Sequence, residues 1–245
     1  MADISAPVRQ LLIIKMDVGE VIENLGIAFQ AIGWIFLPAL LLPLIYIFLP
    51  NINILQSVSK AIIRTIDSLS YGLGELTKWL LPVLVLVVAF TVFALSIFGQ
   101  SWTKLFESAE YLHASIIMLG AAATLLAGQH VRVDIFHSRM GAKSRAMVDF
   151  IGYYTLLLPV CLIILWNSQS FVSFSWRIFE SSSEADGIRG EFLLKTLIPL
   201  FALMMILQGF TIALRAAMCL SGQTRPERPP HTLSYLLSRS LNTNG

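Results

Sequence analysis

The chain has 245 residues, 56% of them apolar and only 13% charged, with a formal net charge of +2 and a mean hydropathy of +0.74. Soluble domains usually carry about 25% charged residues, and no polar stretch here is long enough to hold one of ordinary size. A soluble globular protein is excluded and nothing points to a nucleic-acid partner; the expected fold class is an all-α integral membrane protein.

The first element in chain order is an N-terminal extension, 1–50, with one hydrophobic helix over Leu25 to Leu49. Asp3, Asp17, Glu20 and Glu23 precede it where a secretory signal would carry a basic region, so it is expected to be retained. Pro38 and Pro43 each remove a helix hydrogen bond, which membrane helices tolerate better than soluble ones. Whether this segment spans the membrane or lies in its interface is left open by the sequence.

A polar connection, 51–78, follows. Leu55, Val58, Ile62, Ile66 and Leu69 recur at spacings of three and four and so share one helical face, with Lys60, Arg64 and Asp67 expected opposite. The pattern predicts an amphipathic helix on the inner leaflet, its cations toward anionic headgroups. A short helix packed on the protein's own spans would give the same pattern.

The core, 79–220, holds four further stretches apolar enough to cross about 30 Å of hydrocarbon, which takes roughly 17–25 helical residues. They are Trp79 to Phe98, Tyr111 to Ala127, Phe150 to Trp166 and Thr196 to Leu220. Gly120, Thr124 and Gly128 recur at intervals of four beside Ala121, Ala122 and Ala123, a pattern that lets helix backbones approach closely. Gln208, near the middle of the last span, needs a partner in hydrocarbon and is expected to bond another helix. A polar tail, 221–245, ends the chain.

Alternating the spans with the N-terminus outside places 3, 4 and 4 basic residues in the inner pieces 50–78, 128–149 and 215–245, against 2, 1 and 3 in the outer pieces 1–24, 99–111 and 167–195. This bias orients the C-terminus toward the cytoplasm. If Leu25 to Leu49 lies in the interface, only the N-terminus changes side.

No carboxylate or cation is expected deep within a span, whereas coupled transporters commonly place them there, and no repeated pair of broken helices marks a substrate site. Cys161 and Cys219 lie in or at the ends of spans and form no outer-face redox pair. His113, His130, His137 and His231 sit at span ends or beyond, not facing one another as haem ligands. His130, Asp134 and His137 fit one helical face, but a solvated charged connection accounts for them better than a metal site. No HExxH, phosphate loop or GxSxG occurs. Neither an enzyme nor a cofactor is expected.

Glu107, Gly120-Ala-Ala122, His130-Val-Arg-Val-Asp134, Arg145-Ala and Asp149 resemble the small (DctQ-like) membrane subunit of tripartite ATP-independent periplasmic (TRAP) transporters. The resemblance continues through Ser175-Trp176, Glu180, Gly187, Lys195, Ile198-Pro199 and Leu207-Gln-Gly209, and covers roughly 70–220. Arg189 departs from a frequent proline, Ala123 from a frequent aromatic, and the outer loop carries one extra residue. The segment before residue 70 resembles the longer-chain branch associated with organic acids.

The resemblance implies a non-catalytic subunit of the bacterial inner membrane. A periplasmic protein would capture a carboxylate, a large multi-span permease would carry it in a sodium-coupled elevator movement, and this chain, among membrane lipids, would brace the permease's scaffold. Its assembly candidates are Glu107, Gly120, Thr124, Gly128, His130, Arg132, Asp134, Arg145, Asp149, Lys195, Pro199 and Gln208. Arg132, Asp134, Arg145 and Asp149 alternate in sign and are expected to fix the cytoplasmic connection as a network, since single exposed pairs contribute only about 0–1 kcal/mol. Glu107 is a candidate for contact with the permease or binding protein, and Lys195 for headgroup snorkelling. Glu180, Glu184, Asp186 and Glu191, facing Arg177, Arg189 and Lys195, form a candidate docking surface in the outer loop. An autonomous small oligomeric channel or exporter is the alternative.

Overall fold

The computed structural model describes residues 40–49, 52–99, 101–128, 140–184 and 186–223. The described residues from Pro43 onward belong to one compact unit; most of the predicted Leu25 to Leu49 helix and the tail 224–245 lie outside the described residues. Among the described residues the structure is helical, without a strand. The helices are α1 (Leu42–Phe48), α2 (Asn53–Phe98), α3 (Thr103–Ala127), α4 (Ala142–Gly152), α5 (Leu158–Ile178) and α6 (Glu191–Leu220), with one π-helical turn, Tyr153–Leu157, joining α4 to α5.

Four of these helical runs are long and apolar enough to cross a membrane: α2, α3, α4 through α5, and α6. They contain the four core spans read from hydropathy, but they run further. The connection expected at 51–78 and the first core span are one continuous helix of 46 residues, about 69 Å at 1.5 Å per residue. Likewise α5 reaches Ile178 and α6 begins at Glu191, so the outer piece expected at 167–195 shrinks to a loop over 179–190. A hydropathy window marks only the apolar part of a helix, whereas intrahelical hydrogen bonding carries the backbone on through polar residues.

The core sits around α6, which packs against α2, α3, α4 and α5, while α2 and α3 form a second extensive pair. Of the most apolar window, 56% is buried in α6 and only 6% in α2, so α6 is the central helix and α2 a peripheral one. The protein-facing side of α2 is Ser59, Ile63, Ile66, Asp67, Ser70 and Thr77. Asp67, expected on the far side from the apolar stripe and away from packing, is therefore inside. Val58 and Leu69, members of that stripe, are exposed. Ile63 and Ile66 pack inward beside the small and polar residues, so the packing face of this helix is mixed and only part of the predicted stripe looks outward.

Close approach between the described helices depends on two glycines. A Cβ on Gly74 would come within 2.6 Å of the Ala123 methyl, and one on Gly209 within 2.8 Å of the Tyr153 ring and 2.9 Å of Leu157. Tyr153 is buried at the start of the π-helical turn, where the Leu158 N–H bonds back to the Tyr153 carbonyl. Pro159, one residue further on, has no N–H to give and crowds the carbonyl four residues earlier, which accounts for the wider turn at this place.

The α5 terminus is fixed differently. Phe179 has φ of 47°, uncommon for a bulky residue, and its N–H bonds Trp176 O at 3.3 Å while the Glu180 N–H bonds Ser175 O at 3.0 Å. This is the paired 5→2 and 6→1 closure of a Schellman motif. Phe192 of α6 stacks edge-on with both Trp176 and Phe179, centroids 4.7 and 5.8 Å away, and so holds the strained residue in place.

Substituting Gly209→Ala is expected to lower stability by about 1–3 kcal/mol, the usual cost of overpacking a core. Gly72→Ala, where a Cβ meets nothing within 4 Å, should leave it unchanged or raise it slightly. Melting temperatures of the two variants in one detergent check the contrast.

Candidate functional site

Two polar centres lie toward opposite ends of the bundle. In the first, Asp67 of α2 and Arg215 of α6 are 3% and 6% exposed, and their side chains meet as a bidentate ion pair. Arg215 Nη2 donates to Asp67 Oδ2, and Nη1 lies 3.4 Å from Oδ1. Gln208 Nε2 donates to Asp67 Oδ1 at 3.2 Å and to Thr211 Oγ1 at 2.9 Å. Ser70 Oγ donates to Gln208 Oε1 at 2.7 Å, and Arg215 Nη1 reaches Thr211 Oγ1 at 3.3 Å. The single Thr211 proton has two acceptors, Gln208 O at 2.9 Å and Asp67 Oδ1 at 3.4 Å, and the shorter contact favours the carbonyl.

Local sequence explains the arrangement. Gln208, Thr211 and Arg215 are spaced by three and four and so line one face of α6, while Asp67 and Ser70, three apart, line one face of α2. Each charge meets an opposite charge and further hydrogen-bonding groups, the condition under which a buried ion pair is tolerated. The sequence reading found Gln208 and its need for a partner but missed Asp67 and Arg215. Arg215, which ordinary charge counting assigns to the flank, lies inside the bundle. The signal available was the polar triplet within one apolar run.

The second centre is the 179–190 loop. Glu107, in the second turn of α3, accepts the Ile188 backbone N–H at 2.5 Å on Oε2 and the Ser182 hydroxyl on Oε1. The Ser182 N–H bonds Ile188 O at 3.1 Å, and its hydroxyl accepts the Glu184 N–H at 3.1 Å. One carboxylate thus closes the loop upon itself. Lys195 Nζ donates to Glu180 Oε2 at 2.5 Å and lies 3.5 Å from Glu191 Oε1, so this lysine ties the loop to the start of α6. The Lys195 ammonium holds the Glu180 carboxyl below its ordinary range. Trp176 Nε1 donates to Thr196 Oγ1 at 2.8 Å, binding α5 to α6 at the same level. Lys104 and Asp186 pair at 3.7 Å but are exposed, and such pairs contribute little.

The remaining candidates are dispersed. Gly120 lies in ordinary van der Waals contact with Thr77. Thr124 is exposed, its hydroxyl bonding Ala121 O at 2.7 Å. Gly128 has φ of 70° and closes α3 through its N–H. Pro199 lies within α6 without ending it. Arg145 is exposed and its Nε donates to Met140 O at 2.9 Å, and Asp149 is half-buried on α4. His130, Arg132 and Asp134 lie outside the described residues. Among the described residues no cluster of histidine, cysteine and carboxylates could hold a metal ion.

Four membrane-length helical runs, three of them packed around the fourth, with charges joined to one another in the interior, define a small multi-pass helical membrane protein. The model of the family described as tripartite ATP-independent periplasmic transporters, DctQ component, matches residues 84–219. That is more than half of the chain, and the chain belongs to this family: it is a small membrane component of a tripartite transporter. No curated protein and no solved structure matches it.

Two outcomes are expected. Arg215→Ala, which strands the Asp67 carboxylate, should cost about 3–5 kcal/mol, and the paired replacement Asp67→Leu/Arg215→Met far less; thermal unfolding in detergent distinguishes them. At the loop, Glu180 has a folded-state pKa below its ordinary 4.5, so its contribution is fully present above that value and is lost as pH falls below it. Melting temperature should therefore drop more steeply below about pH 4.5 in the parent than in Glu180→Gln.

Proposed function

We propose that this chain is the static, non-catalytic brace of a sodium-coupled TRAP transporter in the bacterial inner membrane. A periplasmic binding protein delivers a carboxylate, of the organic-acid class, to a large multi-span permease. This chain packs along the scaffold of that permease and gives the moving domain a fixed frame.

The observation that supports the reading best is the use of the buried charges. Asp67 and Arg215 satisfy each other and two neighbouring polar side chains, Gln208 and Thr211, within one chain. A residue that binds and releases a substrate or coupling ion must change partners during the cycle. A bidentate pair hydrogen-bonded on both carboxylate oxygens instead stiffens the helices that carry it, which suits a frame. In the same reading, Arg132, Asp134, Arg145 and Asp149 form the cytoplasmic network, and Glu107 shapes the outer loop carrying Glu184 and Asp186 for the binding protein. The C-terminus is cytoplasmic.

Affinity purification of the full chain from its native membrane in mild detergent, followed by mass spectrometry, tests this. The expected result is one large multi-span permease in equal amount. Recovery of the chain alone, or as a homo-oligomer, would instead favour an autonomous channel or exporter.

A further inference from the structure

Contacts made by the second half of α6 place α1 and the starts of α2 and α4 at one end of the bundle, the end where α6 finishes. Tyr46 Oη donates to Gln223 Oε1 at 2.5 Å, Cys219 Sγ lies 3.8 Å from Ala142 O, and Asp67 meets Arg215 while Ser70 meets Gln208. α2 and α6 therefore run antiparallel, and the turns of α2 before Asp67 lie beside the last turns of α6. The apolar run of α6 stops at Leu220 and is followed by Ser221, Gly222 and Gln223, which puts this level at the edge of the hydrocarbon.

Three cations at this end have no protein partner. Lys60 and Arg64, one turn apart on α2, and Lys143, in the first turn of α4, make no hydrogen bond or ion pair among the described residues. Asp67, three residues from Arg64 and the nearest counter-ion in the chain, is held in the interior by Arg215. An apolar surface lies beside these cations. Pro43 and Tyr46 turn one side of α1 into the protein, while Ile45 and Phe48 on its other side and Ile54 at the start of α2 are exposed, Phe48 to 79% and Ile54 to 76%. No charged residue occurs from Asn24 to Ser59. From Ile54 to Lys60 is about 9 Å of helix, a distance that a lysine shortens by extending its stem along apolar surface.

We infer that Lys60, Arg64 and Lys143, with the apolar side chains Ile45, Phe48 and Ile54, form a binding surface for anionic phospholipid at this end of the bundle. Acyl chains cover the apolar side chains and phosphates meet the cations, the combination by which amphipathic segments hold to a charged leaflet. A protein occupant would have to bring carboxylates to the rim of an apolar contact, whereas a leaflet supplies phosphates at that depth everywhere. The inference does not depend on which proteins the chain assembles with. It also differs from the flat helix expected over 51–78, because Ile66 of that stripe is inside and the membrane-facing apolar groups come from α1 and the first turn of α2. Lipid held there fixes the level at which the 46-residue α2 enters the membrane.

The full chain in nanodiscs of equimolar phosphatidylglycerol and phosphatidylcholine, released into mild detergent and weighed by native mass spectrometry, tests the surface. The parent is expected to retain phosphatidylglycerol in preference. Lys60→Gln/Arg64→Gln should lose about five-fold of that preference for each charge removed, while Lys60→Arg/Arg64→Lys, which preserves the charge, and Lys104→Gln, at the opposite end of the bundle, should keep it. No preference in the parent, an unchanged preference in Lys60→Gln/Arg64→Gln, or an equal loss in Lys104→Gln would overturn the proposal. A benzoylphenylalanine at Phe48, photolysed in the native membrane, gives a second readout. A phospholipid adduct is expected; an adduct with another protein, or with another part of this chain, would overturn the proposal by showing that protein covers the surface.

Discussion

The Asp67–Arg215 pair is the constraint on which the rest of the bundle is arranged. Two ions cannot be left singly in a low-dielectric interior, so α2 and α6 must meet at one register, with Ser70 against Gln208 as the next contact along. A shift by one turn would separate the carboxylate from the guanidinium and leave both without adequate partners, a cost of several kcal/mol. Apolar packing between these helices would be far more forgiving, because in a membrane lipid tails and side chains offer similar contacts. Register here comes from polar chemistry, and the glycines at Gly74 and Gly209 then admit α3 and the π-helical turn to the distances that the register demands.

The helix ends follow a different logic. At the loop end one carboxylate, Glu107, takes two donors from the 179–190 segment, and one ammonium, Lys195, bridges Glu180 and Glu191. Phe179, in the left-handed region, is held by its edge-on contact with Phe192 and by the two backbone bonds that close α5. Local closure of this kind makes a short, ordered connection between long helices without a large buried core. It also leaves Glu184 and Asp186 displayed on a shaped surface, as a docking role would require.

The membrane class and the four core spans were legible in the sequence because hydropathy and length report directly on solvent and bilayer thickness. Helix ends were not, since α3 and α5 extend through Glu107 and Arg177, residues that hydropathy counts as loop. The stripe Leu55, Val58, Ile62, Ile66, Leu69 was real as a pattern, yet part of it faces outward, because periodicity identifies a face without saying what solvent covers it. Gln208 was found because a lone amide in an apolar run is conspicuous. Asp67 and Arg215 were hidden: each lies near the edge of a polar region, and only the tertiary fold brings together residues 148 apart.

That separation has a consequence for biosynthesis. α2 leaves the ribosome long before α6 exists, and at about 5–20 residues per second Asp67 waits on the order of ten seconds or more for Arg215. During that interval the nascent protein carries an uncompensated acid on α2, and the last of the described helices to be made is the one that neutralises it. A chain that stops short of residue 215 is thereby chemically distinguishable from a finished one, so completion of synthesis is recorded in the charge state of the interior.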